Sequence, residues 1–179
     1  VTDEFVFEGP RGAVRAAGRA IGEAAAAGDV IALEGPLGAG KTVLAQAIAR
    51  GAGVDPRVRV ASPTFSIVQE YVGRLRVQHA DLYRLSGPRD LDDVGLFALG
   101  VDGLVVVEWP DRAGELIPPQ ALWLRIERVT PLRRRVRSSG HGPRAEALLN
   151  AARAAVDRYA AARKARALTA AQRGERRGL

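Results

Sequence analysis

The spacing of apolar residues changes several times along the chain, and each change predicts an element. Val30-Ile31-Ala32-Leu33 is an unbroken apolar run between Gly28 and Gly35, the pattern of a short strand covered on both faces, as in a parallel sheet. Leu104-Val105-Val106-Val107 reads the same way and is the most strand-like run in the chain. Between them, Val43 to Ala52 places Leu44, Ala47 and Ile48 at helical spacing and stops at Gly51 and Gly53. Upstream, Phe5 to Phe7 predicts a first strand, and the Ala-rich stretch from Ala13 to Ala27 predicts a helix ended by Gly28. Phe65 to Tyr71 and Leu75 to Leu82, joined by Gly73-Arg74, predict a hairpin. Leu122, Leu124 and Ile126 alternate along 122–129, with Arg133 to Ser138 as a partner strand. From Arg144 the pattern is helical, with Leu148, Leu149, Val156 and Tyr159 available to pack on the body and fraying expected from about Thr169.

The order strand, glycine loop, helix, then further strands, with the loop reading GPLGAGKT at residues 35–42, predicts an α/β chain of the P-loop NTPase class. Its expected centre is a mixed, mostly parallel sheet flanked by helices. The expected division is a P-loop ATPase domain over 1–142 and an Arg/Ala-rich helical extension, partly disordered, over 143–179. Composition changes this picture little, with 47% hydrophobic and 26% charged residues in 179. No apolar run approaches the roughly 20 residues that span a bilayer, and no secretory pattern opens the chain, so a cytoplasmic protein is expected. Cysteine is absent, which removes disulfides and thiolate metal sites.

Charge does change the picture. The net charge is +7, but residues 143–179 hold nine basic and three acidic side chains, a net of +6, leaving +1 for the other 142. The basic character therefore belongs to the extension, which either meets nucleic-acid phosphates or is a solvated helix.

Only Lys41 and Lys164 supply lysine; every other basic residue is arginine. Lys41 closes the stretch GPLGAGKT at residues 35–42, which satisfies Gly-x-x-x-x-Gly-Lys-Thr between a predicted strand and a predicted helix. Gly38 and Gly40 permit backbone that a Cβ would obstruct, so the N–H groups through Gly38, Ala39, Gly40, Lys41, Thr42 and Val43 form an anion nest at a helix start. A compact ammonium at Lys41 reaches β- and γ-phosphates, and the Thr42 hydroxyl suits Mg²⁺.

Glu108 is the first ionisable group after the Val-rich strand, at the carboxyl end where ligands of such sheets bind. It is placed to hold the metal. His79, Asp81 and Tyr83 share one face of a predicted strand, with Asp81 suited to position water and His79 to orient it; an ordinary solvent-facing strand is the alternative. Ser62-Pro63-Thr64-Phe65 is a rigid turn with two hydroxyls, comparable to a switch that senses a γ-phosphate. A guanine-reading Asn-Lys-x-Asp box is impossible, because the one asparagine is Asn150, so ATP is preferred. Asp92-Asp93-Val94-Gly95 mimics a GTPase motif in the wrong place.

Four blocks in order, GPLGAGKT, SPTF, HADLYR and EWP, resemble the TsaE (YjeE) family over roughly residues 5–140. These are small bacterial ATPases that support threonylcarbamoyladenosine formation beside the tRNA anticodon. The resemblance implies an ATP-binding phosphate loop, Mg²⁺ held by Thr42 and Glu108, and hydrolysis served by Asp81 with Lys41. It puts Ser62 and Thr64 in a switch-like loop and Trp109 beside the nucleotide. It also implies TsaD and TsaB as partners, with tRNA as the substrate of the complex. Two departures stand out: Val43 replaces a frequent second hydroxyl, and Pro10-Arg11-Gly12-Ala13-Val14 lacks a threonine near the adenine. A small-molecule kinase and a nucleotide-gated binding module with incidental hydrolysis are the competing readings.

Overall fold

The structure, a computed structural model, describes residues 5–63, 66–91 and 102–175. Seven strands form one sheet: β1 (Phe5–Pro10), β2 (Val30–Glu34), β3 (Val68–Val72), β4 (Arg76–Asp81), β5 (Gly103–Glu108), β6 (Leu122–Arg128) and β7 (Arg133–Ser139). Their spatial order is β1-β7-β6-β2-β5-β4-β3. The centre β6-β2-β5-β4 is parallel, while β3, β7 and β1 join antiparallel, so five strands share one direction. The apolar runs of β2 and β5 occupy this centre side by side, with Val30 opposite Val105 and Leu33 opposite Glu108. Burial on both faces explains why neither run alternates.

Three α-helices, α1 (Arg11–Ala24), α2 (Lys41–Gly51) and α3 (Gly142–Glu175), pack on one face around Val14, Ile21, Leu44, Ile48 and Leu148. The other face is covered by Leu82, Leu85, Leu91, Ala113 and Ile117 from turns that include short 3₁₀ segments at Pro88–Leu91, Pro110–Arg112 and Gly114–Leu116. Helices α1 and α2 cross almost backbone to backbone. A Cβ on Gly22 would sit 2.0 Å from Ile48 O, and one on Gly51 would sit 2.0 Å from Arg19 O. That close approach fixes the position of α2, and with it the loop that precedes it.

The start of α3 is tied down by charge as well as packing. Asp29, 8% exposed, accepts from Ala26 N at 2.8 Å and from Arg144 Nη2 at 2.6 Å, joining the entry of β2 to the helix. Ala145, Leu148, Leu149 and Ala152 are buried, so the first turns of α3 belong to the core. Helix α3 runs through Thr169 to Glu175.

Boundaries differ from the sequence pattern where turn geometry intervenes. Helix α1 begins at Arg11, two residues before the Ala-rich stretch, because Pro10 ends β1 and serves as N-cap. Strand β3 begins at Val68 rather than Phe65, because Ile67 is held at φ +62° in a turn whose N–H donates to Pro63 O at 2.6 Å. Asp92-Asp93-Val94-Gly95 lies outside the described residues. Among the described residues, no helix is long and apolar enough to cross a membrane.

Candidate functional site

The carboxyl ends of β2, β4 and β5 lie side by side because those strands are parallel neighbours, and a cavity of about 480 Å³ opens there. Gly38, Ala39, Gly40, Lys41, Thr42, Val43, Ser62, Asp81, Glu108 and Trp109 all line it. Residues far apart in the chain are thus brought to one place. Thr64 lies outside the described residues.

The loop from β2 to α2 takes its shape from glycine. Gly35, Gly38 and Gly40 have φ of +141°, +76° and +116°, a region that L side chains enter only with strain. At Gly35 a Cβ would also meet Ile126 O at 2.3 Å. Gly40 leads directly into the first turn of α2, where free N–H groups and the positive end of the helix dipole are suited to an anion.

Lys41 is 4% exposed, and its Nζ donates to Gly35 O at 2.7 Å and Pro36 O at 3.1 Å. The same ammonium lies 3.8 Å from the centre of the Trp109 ring. Trp109 reaches that position through a left-handed backbone, φ +59°, immediately after β5, and Tyr83 packs against it with ring centres 5.0 Å apart. Desolvation lowers the Lys41 pKa, while Glu108, Asp81 and Asp111 pull it upward. The cation is held by carbonyls and an aromatic face rather than by a bonded carboxylate, so it is available to an incoming anion.

Glu108 carries two hydrogen bonds that aim its carboxylate. Thr42 Oγ1 donates to Glu108 Oε2 at 3.1 Å, and Glu108 Oε1 lies 2.9 Å from His79 Nε2. A carboxylate only accepts, so His79 presents Nε2–H, and its buried Nδ1 has no partner among the described residues. His79 is 1% exposed and does not line the cavity; it holds Glu108 from behind. His79 and Asp81 are thus buried rather than solvent-facing, whereas Tyr83 lies beyond β4 and is exposed. Asp81 stands beside Glu108 in register, accepts from the Ser62 hydroxyl, and accepts from Tyr83 N at 3.1 Å.

The donor chemistry fits magnesium. Thr42 and Glu108 place two hard oxygens within 3.1 Å at the cavity wall, and Asp81 is adjacent. Among the described residues no three His, Cys, Asp or Glu side chains form a metal cluster. Mg²⁺ commonly binds through one or two protein oxygens and completes its shell with phosphate and water, and Thr42 and Glu108 offer two.

Sequence reasoning missed Arg134. This side chain is 4% exposed, lines the cavity, and donates through Nε to Ala39 O at 2.6 Å in the middle of the phosphate loop. In β7 the inward positions are Arg134, Val136 and Ser138, and this register, not the run Arg133-Arg134-Arg135 itself, singles Arg134 out. Arg11 and Val14 line the opposite wall, so the cavity's far end is made by the start of α1.

The sequence model described as threonylcarbamoyl adenosine biosynthesis protein TsaE matches residues 11–136. A Mycobacterium leprae protein named tRNA threonylcarbamoyladenosine biosynthesis protein TsaE is 42% identical over 124 residues, covering 64% of this chain and 76% of that protein. A Bacillus subtilis protein of the same name is 38% identical over 124 residues, covering 68% and 75%. The crystal structure of Bacillus subtilis YdiB superposes with a TM-score of 0.69 at 28% identity, covering 85% of this chain and 95% of that one.

Proposed function

Since the chain belongs to the TsaE family of tRNA threonylcarbamoyladenosine biosynthesis proteins, we propose that it is a Mg²⁺-dependent ATPase whose turnover supports a TsaD–TsaB complex forming threonylcarbamoyladenosine in tRNA. The observation that carries this reading is the hydrogen bond from Thr42 to Glu108 across the mouth of the phosphate loop, 3.1 Å long. It joins the first turn of α2 to the end of β5, the two elements from which a nucleotide's metal would be gripped.

The loop N–H groups and the start of α2 bind the phosphates, and Lys41 transfers its hydrogen bonds from the Gly35 and Pro36 carbonyls to a phosphate oxygen. When bound, Mg²⁺ supplies charge neutralisation at the β- and γ-phosphate oxygens. Thr42 and Glu108 are the residues that would hold it. Asp81, fixed by Ser62 and the Tyr83 N–H, retains acceptor capacity to orient the attacking water. Catalysis of this kind rests on positioning and on charge already in place, so a small set of rigidly held groups suffices.

The test is ATP hydrolysis by the full chain, with and without TsaD and TsaB, beside equilibrium binding of ATP. Asp81→Asn and Glu108→Gln are expected to bind ATP and to lose turnover. Normal hydrolysis by both variants would overturn the assignment, and a phosphorylated nucleoside or sugar in place of free phosphate would make the protein a kinase.

A further inference from the structure

A second cavity, of about 500 Å³, adjoins the nucleotide site. Its walls are Arg11 and Gly12 at the start of α1, Leu132 in the β6–β7 turn, Arg133 at the start of β7, and Arg163 on α3. Arg11 lines both cavities, so they share a wall.

Charge in this groove is unbalanced. Beside it, burial lowers the pKa of Arg134, which lines the nucleotide cavity, and Arg11 and Arg128 lower it further. Among the described residues none of the three has a carboxylate in ion-pair contact. The adjacent acid, Glu8, is already taken by Arg133 at 3.0 Å and Arg135 at 3.1 Å. Beyond the groove, every residue of α3 from Ala160 to Ala170 is exposed, Arg163, Lys164 and Arg166 included. Packing gives no reason for these cations. A crowd of like charges beside a cavity is relieved by an anion from outside.

The geometry points to this groove, from Arg11 past Arg133 to the exposed turns of α3, as a docking surface for the phosphate backbone of RNA. Guanidinium forks match phosphate oxygens two at a time, and a row of them suits a polyanion. Leu132, 76% exposed at the tip of the β6–β7 turn, offers an apolar surface to a base. A membrane surface fits poorly. Between Ala160 and Ala170 the one large apolar side chain is Leu168, and the rest are alanine, arginine, lysine and threonine, so little apolar area is available to insert. The inference rests on reading the chain as an ATPase of tRNA modification, and it makes Arg11 the residue at which RNA and nucleotide meet.

The experiment is fluorescence anisotropy of a fluorescein-labelled, unmodified tRNA transcript titrated with the full chain at two salt concentrations, beside ATP turnover of the same samples. Binding is expected to weaken as salt rises. The charge-reversed variant R163E/K164E/R166E is expected to bind about tenfold more weakly or worse and to depend less steeply on salt, because every phosphate left unneutralised releases about one counterion fewer. Its ATP turnover, measured without partners, is expected to be unchanged, since these side chains lie outside the nucleotide cavity. Unchanged tRNA affinity in that variant would overturn the proposal, as would binding to phosphatidylglycerol vesicles without binding to tRNA. Loss of turnover in Glu108→Gln with normal tRNA binding would leave both readings standing. Wild-type protein that binds tRNA but does not hydrolyse ATP would sink the ATPase reading alone.

Discussion

His79 Nε2 lies 2.9 Å from Glu108 Oε1, and the two side chains are only 1% and 3% exposed. The pairing follows from the sheet: β4 and β5 are parallel, His79 faces Val106 and Asp81 faces Glu108, so the imidazole sits one pleat behind the carboxylate. Thr42 holds the other oxygen. A buried carboxylate with two donors has a defined orientation, whereas one with a single donor can rotate.

His79→Ala therefore removes one of two partners from a carboxylate that is only 3% exposed. The expected loss of stability is about 1–3 kcal/mol, the usual penalty for stranding a buried acceptor, and it is measured by urea unfolding. Turnover should fall more than ATP affinity, because the loop N–H groups and Lys41 are untouched. His79→Gln, which keeps a donor, should restore part of both. Full turnover in the alanine variant would mean that Glu108 needs no support.

Lys41→Ala should abolish tight ATP binding by calorimetry. Lys41→Arg is the more informative change, since it keeps the charge. The ammonium fits within 2.7 and 3.1 Å of two loop carbonyls and beneath the Trp109 ring. A planar fork of larger span cannot occupy that position without displacing one of them. Arginine is therefore expected to bind ATP at least about tenfold more weakly, or some 1.4 kcal/mol.

Much of this was legible in the pattern of residues, for particular reasons. β2 and β5 announce themselves because strands buried on both faces favour apolar residues at successive positions, and the glycine loop because its backbone admits little else. The burial of His79 was not legible: alternating polar and apolar positions describe a strand with one wet face, and only the order of strands shows that β4 is covered on both sides. Arg134 was hidden for a related reason. In the run Arg133-Arg134-Arg135, composition cannot say which arginine points inward; the register of β7 against β6, with Arg134 opposite Arg128, decides it. The start of β3 was obscured by a local turn at Ile67 that hydrophobic spacing does not record.

Trp109 gives a direct optical readout. Its ring lies 3.8 Å from the Lys41 ammonium, and the chain's other tryptophan is Trp123. In a Trp123→Phe background, ATP should shift Trp109 emission as Lys41 exchanges the loop carbonyls for phosphate. The shift should saturate at the same ATP concentration as calorimetric binding and vanish in Lys41→Ala. A silent Trp109 in protein that binds ATP would show that the ammonium stays where it is.

Arg134 decides between two opposing effects. Its Nε donates to Ala39 O at 2.6 Å and its Nη1 to Thr130 O at 3.1 Å and Arg133 O at 3.0 Å, so it ties the phosphate loop to the β6–β7 turn. Against that, burial and the nearby Arg11 and Arg128 disfavour its charge. Removing the side chain relieves the repulsion but strands a carbonyl inside the loop. Arg11 and Arg128 act on Arg134 less than burial does, whereas a buried carbonyl without a donor carries its full desolvation penalty, so the loss should win. Arg134→Ala is expected to lower stability by about 1–3 kcal/mol and ATP affinity by roughly tenfold, because the loop must be ordered at the cost of binding energy. Arg134→Lys should recover little of either, since one ammonium cannot span Ala39 and Thr130 as the guanidinium does. Thermal melts and calorimetry on the two variants, with and without ATP, make the comparison. Stability equal to wild type in Arg134→Ala would show that charge repulsion, not the Ala39 hydrogen bond, dominates at this residue.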